Sequence, residues 1–333
     1  MESIKWGIIG CGDVTEVKSG PAFNKVKNSS LVAVMRRDGE KAKDYASRHN
    51  VPKWYTDANQ LINDPEINAV YVATPPQSHE EYTIAALQAG KPVYVEKPMA
   101  LNTEAAVRMM KAAKENISRL SIAHYRREQP MFKKIKQLLD DSAIGKIKFA
   151  DLRFLKPPLT NEEIEIPKTK WRIDPSIAGG GLFHDLAPHQ IDLMIYFLGN
   201  IKNAKGISAN QEKAYKADDT VSGTILFESG AIFSGLWCFT IAGNETTDHC
   251  EITGSTGEIT FSIFDNPVIN LTRKGKKEII EFEKIPHVQQ PMIEKVVDYF
   301  LDNGPNPCSA EEGVRVMEMI EAFTKQQAVS SEQ

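Results

Sequence analysis

The segment IKWGIIGCGDVT, residues 4–15, is the part of the sequence from which the fold is first predicted. Its first residues form a short apolar run that predicts a β-strand, and the strand leads into Gly10 and Gly12. These glycines occupy the first two positions of a G-x-G-x-x-G fingerprint, in which the turn tightens and the backbone approaches a pyrophosphate. Thr15 stands at the third position, which is usually Gly or Ala. At the first strand of the chain, this turn predicts a nucleotide site, with the phosphates at the N-terminus of the following helix.

Strands and helices alternate from this turn to residue 122. The strands read as unbroken apolar runs, which are typical of a sheet covered by helices on both faces. Residues 1–122 therefore predict an α/β domain of the Rossmann class, with a doubly wound parallel sheet. The predicted strands after the first lie at 31–35, 69–75 and 92–98, and the predicted helices include 40–49 and 103–114.

Residues 123–333 have a different pattern, in which segments of strand character are separated by turn signals such as Glu228-Ser229-Gly230. This pattern predicts an α+β second domain built on one large, mainly antiparallel sheet with the strands in meander order. The predicted helices lie at 130–141, 171–199, 291–302 and 309–324.

Composition excludes several classes of protein. The 333 residues are 41% hydrophobic and 25% charged with a net charge of −4, as in a globular protein of about two domains. Scattered basic residues argue against nucleic acid, and no apolar run approaches a membrane span. The N-terminus lacks the features of a signal peptide, so we expect a cytoplasmic protein. The four cysteines are far apart, which signals neither zinc nor disulfides.

The end of the second predicted strand bears on the choice of dinucleotide. An acidic residue there binds the ribose 2′-hydroxyl of NAD, whereas arginine accommodates the 2′-phosphate of NADP. Arg36 stands at about this position and Arg37 follows it. Because arginine–phosphate contacts are strong and geometrically selective, the sequence favours NADP. Asp38, one or two places later, keeps NAD open.

A second functional stretch reads WRIDPSIAGGGLFHDLAPHQID, from Trp171 to Asp192. Asp185 and His189 are four residues apart, so on a helix they share one face. A histidine beside a carboxylate, behind glycines that allow close approach of backbone, is suited to proton transfer.

The same stretch raises a metal-binding alternative, because His184, Asp185, His189 and Asp192 are four potential ligands in nine residues. Only three of them share a helix face, and no second cluster is evident elsewhere. The sequence therefore argues against a metal site in this stretch.

Lys97 lies in Glu96-Lys97-Pro98, at the end of the fourth apolar strand. Ligands of parallel sheets bind beyond the carboxyl ends of the strands, so Lys97 is expected near the bound cofactor. Its ammonium can donate to a substrate hydroxyl or carbonyl. Pro98 restricts Lys97 to extended geometry and allows a cis peptide bond.

These motifs together resemble the Gfo/Idh/MocA family. The segments GIIGCG, ATPP with His79, EKP, YRR at 125–127 and WR…GGG…D…H occur in the family's order over essentially the whole chain. The resemblance implies a Rossmann domain followed by an open-faced antiparallel sheet domain, which often oligomerises through that sheet. It also implies NAD(P)-dependent oxidation or reduction of a sugar, polyol or related alcohol, and therefore a carbohydrate-like substrate. The expected assembly is a homo-oligomer, either a dimer or a tetramer.

The resemblance also assigns roles to residues. Lys97, Asp185 and His189 match the catalytic trio, and Tyr125 a position that lines the substrate pocket. His189 is expected to take the proton of the substrate hydroxyl while hydride moves to nicotinamide. Lys97 stabilises the alkoxide, and Asp185 orients the imidazole or binds a second hydroxyl. The expected cofactor-binding residues are Gly10, Gly12, Asp13, Val14, Arg36, Arg37, Thr74, Pro75, His79, Glu96, Lys97, Trp171 and Arg172.

Two other functions remain open at this stage. Some relatives use the cofactor transiently around hydrolysis or elimination on a sugar, and no residue here excludes that chemistry. A non-catalytic cofactor-binding regulator is the other alternative, against which the joint presence of Lys97, Asp185 and His189 argues. The substrate is not readable from the sequence, and the loop at 156–171 is interpreted either as a cover for the pocket or as an arm for a neighbouring subunit.

Overall fold

The computed structural model describes residues 2–243 and 246–325, and the chain forms two compact units. Of the described residues, the first unit holds those through Gln129 together with Ile285–Met317. The second holds those between Pro130 and Lys284 and those from Glu318 to Lys325. The sequence-based assignment of roles to residues 1–122 and 123–333 stays a prediction, and residues 244, 245 and 326–333 of the second part lie outside the described residues.

The first unit contains a six-stranded sheet in the order β3-β2-β1-β4-β5-β6, and every neighbouring pair is parallel. This confirms the doubly wound parallel sheet. The prediction missed β3 and β6, because each is three residues long and includes a polar residue, so neither forms an apolar run. The strands are β1 (Ile4–Ile9), β2 (Ser29–Met35), β3 (Lys53–Tyr55), β4 (Ala69–Val72), β5 (Val93–Val95) and β6 (Leu120–Ile122).

Helices connect these strands. The glycine turn is followed by two short helices rather than by the single helix expected there. The helices are α1 (Asp13–Val17), α2 (Gly20–Phe23), α3 (Gly39–Arg48), α4 (Ala58–Ile62), α5 (His79–Gln88) and α6 (Thr103–Glu115), with 3₁₀ turns at Pro76–Ser78 and Tyr125–Glu128.

The second unit contains an eight-stranded sheet in the order β14-β13-β12-β11-β7-β10-β9-β8. It is mainly antiparallel, as expected, but the predicted meander is wrong at one place: β7 lies between β10 and β11 and runs parallel to β10. Alternating burial within a strand does not specify its neighbours, so sequence could not reveal this insertion. The strands are β7 (Ile147–Leu155), β8 (Ile201–Ala209), β9 (Thr220–Phe227), β10 (Ile232–Cys238), β11 (Thr247–Gly254), β12 (Gly257–Phe261), β13 (Val268–Arg273) and β14 (Lys276–Glu281).

The predicted single helix at 171–199 is two helices in the structure, a short one over Pro175–Ala178 and a long one over Leu182–Leu198. Two of the intervening glycines have positive φ, which ends one helix and begins another. The loop at 156–171 contains two short helices that the sequence analysis missed. The helices of the second unit are α7 (Pro130–Asp140), α8 (Asn161–Glu165), α9 (Pro167–Lys170), α10 (Pro175–Ala178) and α11 (Leu182–Leu198). Later in the chain, α12 (Gln290–Phe300) belongs to the first unit, and α13 (Ala310–Thr324) has residues in both units.

One face of the second sheet is buried and the other is exposed, because burial alternates along its strands. On the buried face, the Trp237 ring of β10 packs edge-on against Phe183 of α11, with ring centroids 5.1 Å apart. The indole of Trp237 also donates to Gln190 Oε1 at 2.6 Å. These contacts fix α11 on the sheet. Within the described part of the chain, no helix is both long and apolar enough to cross a membrane.

Candidate active site

The glycine turn after β1 uses its two glycines for different purposes. Gly10 has φ of +95°, and a Cβ there would lie 2.8 Å from the backbone nitrogen of Thr74. This position therefore requires glycine for both conformation and space. A Cβ on Gly12 would meet nothing nearer than the Gly10 carbonyl oxygen at 3.9 Å. The backbone at Gly12 thus faces open space, as close approach of a phosphate requires.

Thr15, which replaces the third glycine of the fingerprint, caps the turn. Its hydroxyl accepts from the Gly12 amide at 3.0 Å and donates to the Gly12 carbonyl at 2.8 Å. Its own carbonyl accepts from the buried hydroxyl of Tyr45 at 2.8 Å. The close packing assigned to the third glycine occurs instead at Gly20, where a Cβ would lie 2.2 Å from the Thr15 carbonyl oxygen. The departure at Thr15 is therefore compatible with the turn.

Arg36 follows β2 directly, and its guanidinium donates to the Cys11 carbonyl at 3.2 Å, beside the glycine turn. Arg37 is exposed. The Asp38 carboxylate is already engaged: it accepts from the Lys41 amide at 3.2 Å as the N-cap of α3 and pairs with the Lys41 ammonium at 3.1 Å. The hydrogen bond from the Lys41 side chain lowers the pKa of Asp38.

The segment after β4 brings three expected cofactor-binding residues to one place. Thr74 Oγ1 is buried, and among the described residues it has no hydrogen-bond partner. Pro75 is extended, with φ of −60° and ψ of 151°. The His79 ring is fully buried, with Nε2 2.7 Å from the Thr74 carbonyl and Nδ1 3.0 Å from the Pro98 carbonyl. His79 therefore connects the end of β4 to the end of β5. Burial lowers the pKa of its imidazole.

Lys97 follows β5, and the Lys97–Pro98 peptide bond is cis. The neighbouring Glu96 carboxylate is buried and is held by protein donors. Its Oε1 accepts from the Tyr71 hydroxyl at 2.5 Å and from the Gln289 amide at 2.6 Å, and its Oε2 accepts from the Lys97 backbone amide at 3.1 Å. Sequence reasoning missed Gln289, since 193 residues separate it from Glu96 and no motif marks it.

Tyr125, the expected substrate-pocket residue, begins the 3₁₀ turn after β6 in the first unit. Its side chain is buried, and the guanidinium of Arg126 lies 5.7 Å from the centre of its ring. Its substrate contact stays a prediction.

In the second unit, Trp171, Arg172 and Asp185 come together. Arg172 Nε donates to Asp185 Oδ2 at 3.1 Å, and its guanidinium lies 4.4 Å from the centre of the Trp171 ring. The arginine also donates to the Lys168 carbonyl of α9. The guanidinium is thus held from three sides and fixes one oxygen of Asp185 in the first turn of α11.

Each residue of the triple glycine has its own structural requirement. Gly179 ends α10 with φ of +89°, and Gly181 precedes α11 with φ of +116°. A Cβ on Gly180 would lie only 1.9 Å from Nδ1 of His184. Burial lowers the pKa of His184 to about 4, so this ring is neutral at pH 7 and packs as an uncharged group.

His189 lies on α11 one helical turn after Asp185, as expected, although Pro188 interrupts the backbone hydrogen bonding of the helix between them. The imidazole is buried and contacts the ring of Phe264 edge-on, with centroids 5.9 Å apart. Within residues 2–243 and 246–325, no group of three or more His, Cys, Asp or Glu side chains is arranged to hold a metal ion.

Models of one enzyme family match most of the chain. Residues 4–124 match GFO_IDH_MocA, described as an oxidoreductase family with an NAD-binding Rossmann fold, and residues 132–260 match the GFO/IDH/MocA C-terminal domain.

The chain is also similar to individual proteins. It is 48% identical to Oxidoreductase P35 of Formosa agariphila, over 97% of this chain and 99% of the other. It is 28% identical to a 1,5-anhydro-D-fructose reductase of Ensifer adhaerens, over 77% and 74% of the two chains.

Solved structures share the fold. An aldose-aldose oxidoreductase from Caulobacter crescentus, in complex with glycerol, has a TM-score of 0.83 at 20% identity, and the match covers 96% of each chain. A levoglucosan dehydrogenase in complex with NADH and levoglucosan has a TM-score of 0.83 at 22% identity, again over 96% of each chain. At these identities the likeness establishes the architecture.

Proposed function

This chain belongs to the Gfo/Idh/MocA family of oxidoreductases, and we propose that it transfers hydride between NADP and a sugar, polyol or related alcohol. The observation that carries the proposal is the open space at Gly12, beside an arginine held at the end of β2. The buried Thr74 hydroxyl at the neighbouring strand end adds a polar group for the same ligand. The glycine turn and these strand ends therefore fit a dinucleotide.

When bound, the nicotinamide would supply the acceptor of hydride in oxidation and its donor in reduction. His189 takes the proton of the substrate hydroxyl on a ring nitrogen in oxidation and returns it in reduction, as general acid–base catalysis requires. The Lys97 ammonium donates to the substrate oxygen and stabilises its negative charge. Asp185, with one oxygen held by Arg172, orients the imidazole or binds a second hydroxyl.

A sugar-like substrate is supported by the relatives whose names state one, an anhydrofructose reductase and a levoglucosan dehydrogenase. The experiment is a panel of aldoses, anhydrosugars, polyols and dihydrodiols, assayed at 340 nm with NADP and with NAD. His189→Ala should lower turnover by about 10²- to 10⁴-fold while cofactor binding survives. His249→Ala, at an exposed histidine of β11, is the matched control. Full activity of folded His189→Ala contradicts the assigned chemistry.

The proposed preference for NADP rests on Arg36. Its guanidinium is held beside the glycine turn, whereas the nearby Asp38 carboxylate is engaged as a helix cap. A hydrogen bond to a charged group contributes about 1.5–3 kcal/mol. Arg36→Ala should therefore weaken NADP binding by roughly 10- to 150-fold and leave NAD binding within about threefold. Arg37→Ala, at the neighbouring exposed arginine, should have a smaller effect. A wild-type preference for NAD contradicts the proposal.

We also propose that the chain forms a homo-oligomer through the exposed face of the second sheet. Ile232 of β10 and Phe149 of β7 are register partners on this face, and they are 47% and 45% exposed. Adjacent large apolar side chains on an open face are typical of an interface. Light scattering should show an oligomer that Ile232→Lys weakens. A wild-type monomer at micromolar concentration overturns this proposal.

A further inference from the structure

We propose that Gln289 is a positioning residue for Lys97, acting through the buried carboxylate of Glu96. The inference rests on the proposed catalytic role of Lys97. It concerns only side chains of the first unit, to which Gln289 belongs although it lies far along the chain.

The Glu96 carboxylate joins Gln289 to the backbone of Lys97. Gln289 Nε2 donates to Glu96 Oε1 at 2.6 Å, and the Lys97 amide donates to Glu96 Oε2 at 3.1 Å. The Glu96 residue is only 5% exposed, so these protein donors take the place of water. Because the two oxygens belong to one rigid plane, a donor that fixes Oε1 also orients Oε2 toward the Lys97 amide.

Gln289 is itself held in place. Its side chain is completely buried, its Oε1 accepts from the Tyr94 hydroxyl at 3.3 Å, and its backbone amide donates to the Lys18 carbonyl at 3.2 Å. Its carbonyl accepts from the Ile293 amide in the first turn of α12. Burial raises the pKa of Tyr94 well above its ordinary value, so the phenol keeps its proton and donates. The amide group therefore presents Nε2 to Glu96 in one orientation.

Glu96 Oε1 accepts from two donors, Gln289 Nε2 and the Tyr71 hydroxyl. Loss of the Gln289 amide would leave the Tyr71 hydroxyl alone of these two. A buried carboxylate that lacks a donor rotates toward another one. This rotation weakens the hydrogen bond that fixes the peptide before Lys97. Misplacement of a reacting group by about 1 Å can cost roughly 10²-fold in rate, so even a partial loss of orientation should slow the chemical step.

The test compares Gln289→Met with Asn306→Leu. Asn306 lies, like Gln289, in the segment Ile285–Met317 of the first unit. Its side-chain amide donates to the Leu120 carbonyl at 2.8 Å, so the control variant loses a similar hydrogen bond near a different strand. We expect Gln289→Met to lower kcat about tenfold or more and to raise the primary deuterium isotope effect on hydride transfer. The Kd for NADP, measured by calorimetry on the apoprotein, should stay within about twofold. Asn306→Leu should leave kcat and the isotope effect unchanged.

A folded Gln289→Met variant with wild-type kcat and isotope effect overturns the inference, and so does a loss confined to the Kd for NADP. If Gln289→Met does not fold, Tyr71→Phe decides by the same criteria, since it removes the other donor to Oε1. Lys97→Met separates this inference from the proposed function. Wild-type turnover in Lys97→Met refutes the role of Lys97, whereas deficient Lys97→Met beside fully active Gln289→Met refutes only the positioning role.

Discussion

Gly12→Ala should separate cofactor affinity from fold stability. The backbone of Gly12 is extended, with φ of −151°, and a Cβ there lies no closer than 3.9 Å to another atom outside its chain neighbours. The substitution should therefore change the free energy of unfolding of the apoprotein by less than about 1 kcal/mol, the amount expected for a poorer helix cap.

The added methyl group enters the space that we assign to the pyrophosphate. Forcing one extra carbon into a filled space costs about 1–3 kcal/mol. If the bound phosphates fill this space, the methyl group destabilises only the complex with the cofactor. The Kd for NADP should then rise by roughly 5- to 150-fold. NAD, which has the same pyrophosphate, should be weakened equally.

Gly10→Ala is the matched variant, two residues away, with the opposite signature. Its φ of +95° is unfavourable for alanine by about 1–2 kcal/mol. Its Cβ would lie 2.8 Å from the Thr74 nitrogen, a backbone atom, which adds about 1–3 kcal/mol. Denaturant unfolding should thus show a loss of about 2–5 kcal/mol, and calorimetry with both dinucleotides completes the assay. A folded Gly12→Ala protein that binds NADP like the wild type refutes close approach of the phosphates at this turn.

Two further predictions concern stability. Gly180→Ala should destabilise the second unit by about 1–3 kcal/mol in denaturant unfolding, because its Cβ would lie 1.9 Å from the buried His184 ring, and an unchanged midpoint would contradict this packing. Two hydrogen bonds from Arg48 lower the pKa of Glu16 from 4.5 to about 2, so the ionised form stabilises the fold above pH 4.5 and the contribution disappears as the pH falls toward 2. Since the Glu16 side chain is 35% exposed, the wild type should exceed Glu16→Gln by only about 1 kcal/mol at pH 6, and an equal difference at pH 3 would contradict this origin.

Local sequence patterns were sufficient for much of the fold. Apolar runs and glycine turns predicted β1, β2 and the alternating first half, because each of these signals lies within a few neighbouring residues. The helix that carries Asp185 and His189 was also predictable, whereas its true start at Leu182 was not. Gly181 has a positive φ, so the helix begins only after this residue. Because glycine adopts positive and negative φ about equally readily, the sequence does not reveal which one it has here.

Packing between distant segments was not predictable. The insertion of β7 between β10 and β11 depends on which strand edges meet, and burial patterns are the same for either neighbour. His79 was expected to line the cofactor, but its ring nitrogens face the backbone carbonyls of Thr74 and Pro98. The ring therefore joins the segments that follow β4 and β5. Its contact with a cofactor stays a prediction.

Local sequence is enough to place a glycine turn after the first strand, Lys97 shortly after another strand, and Asp185 and His189 on one helix. Backbone preferences and helical spacing act over a few residues, so these features are written locally. The support of the Glu96 carboxylate by Gln289 and of Asp185 by Arg172 is evident only in the folded protein. A buried charge needs donors from wherever the chain can bring them, and folding alone selects those donors.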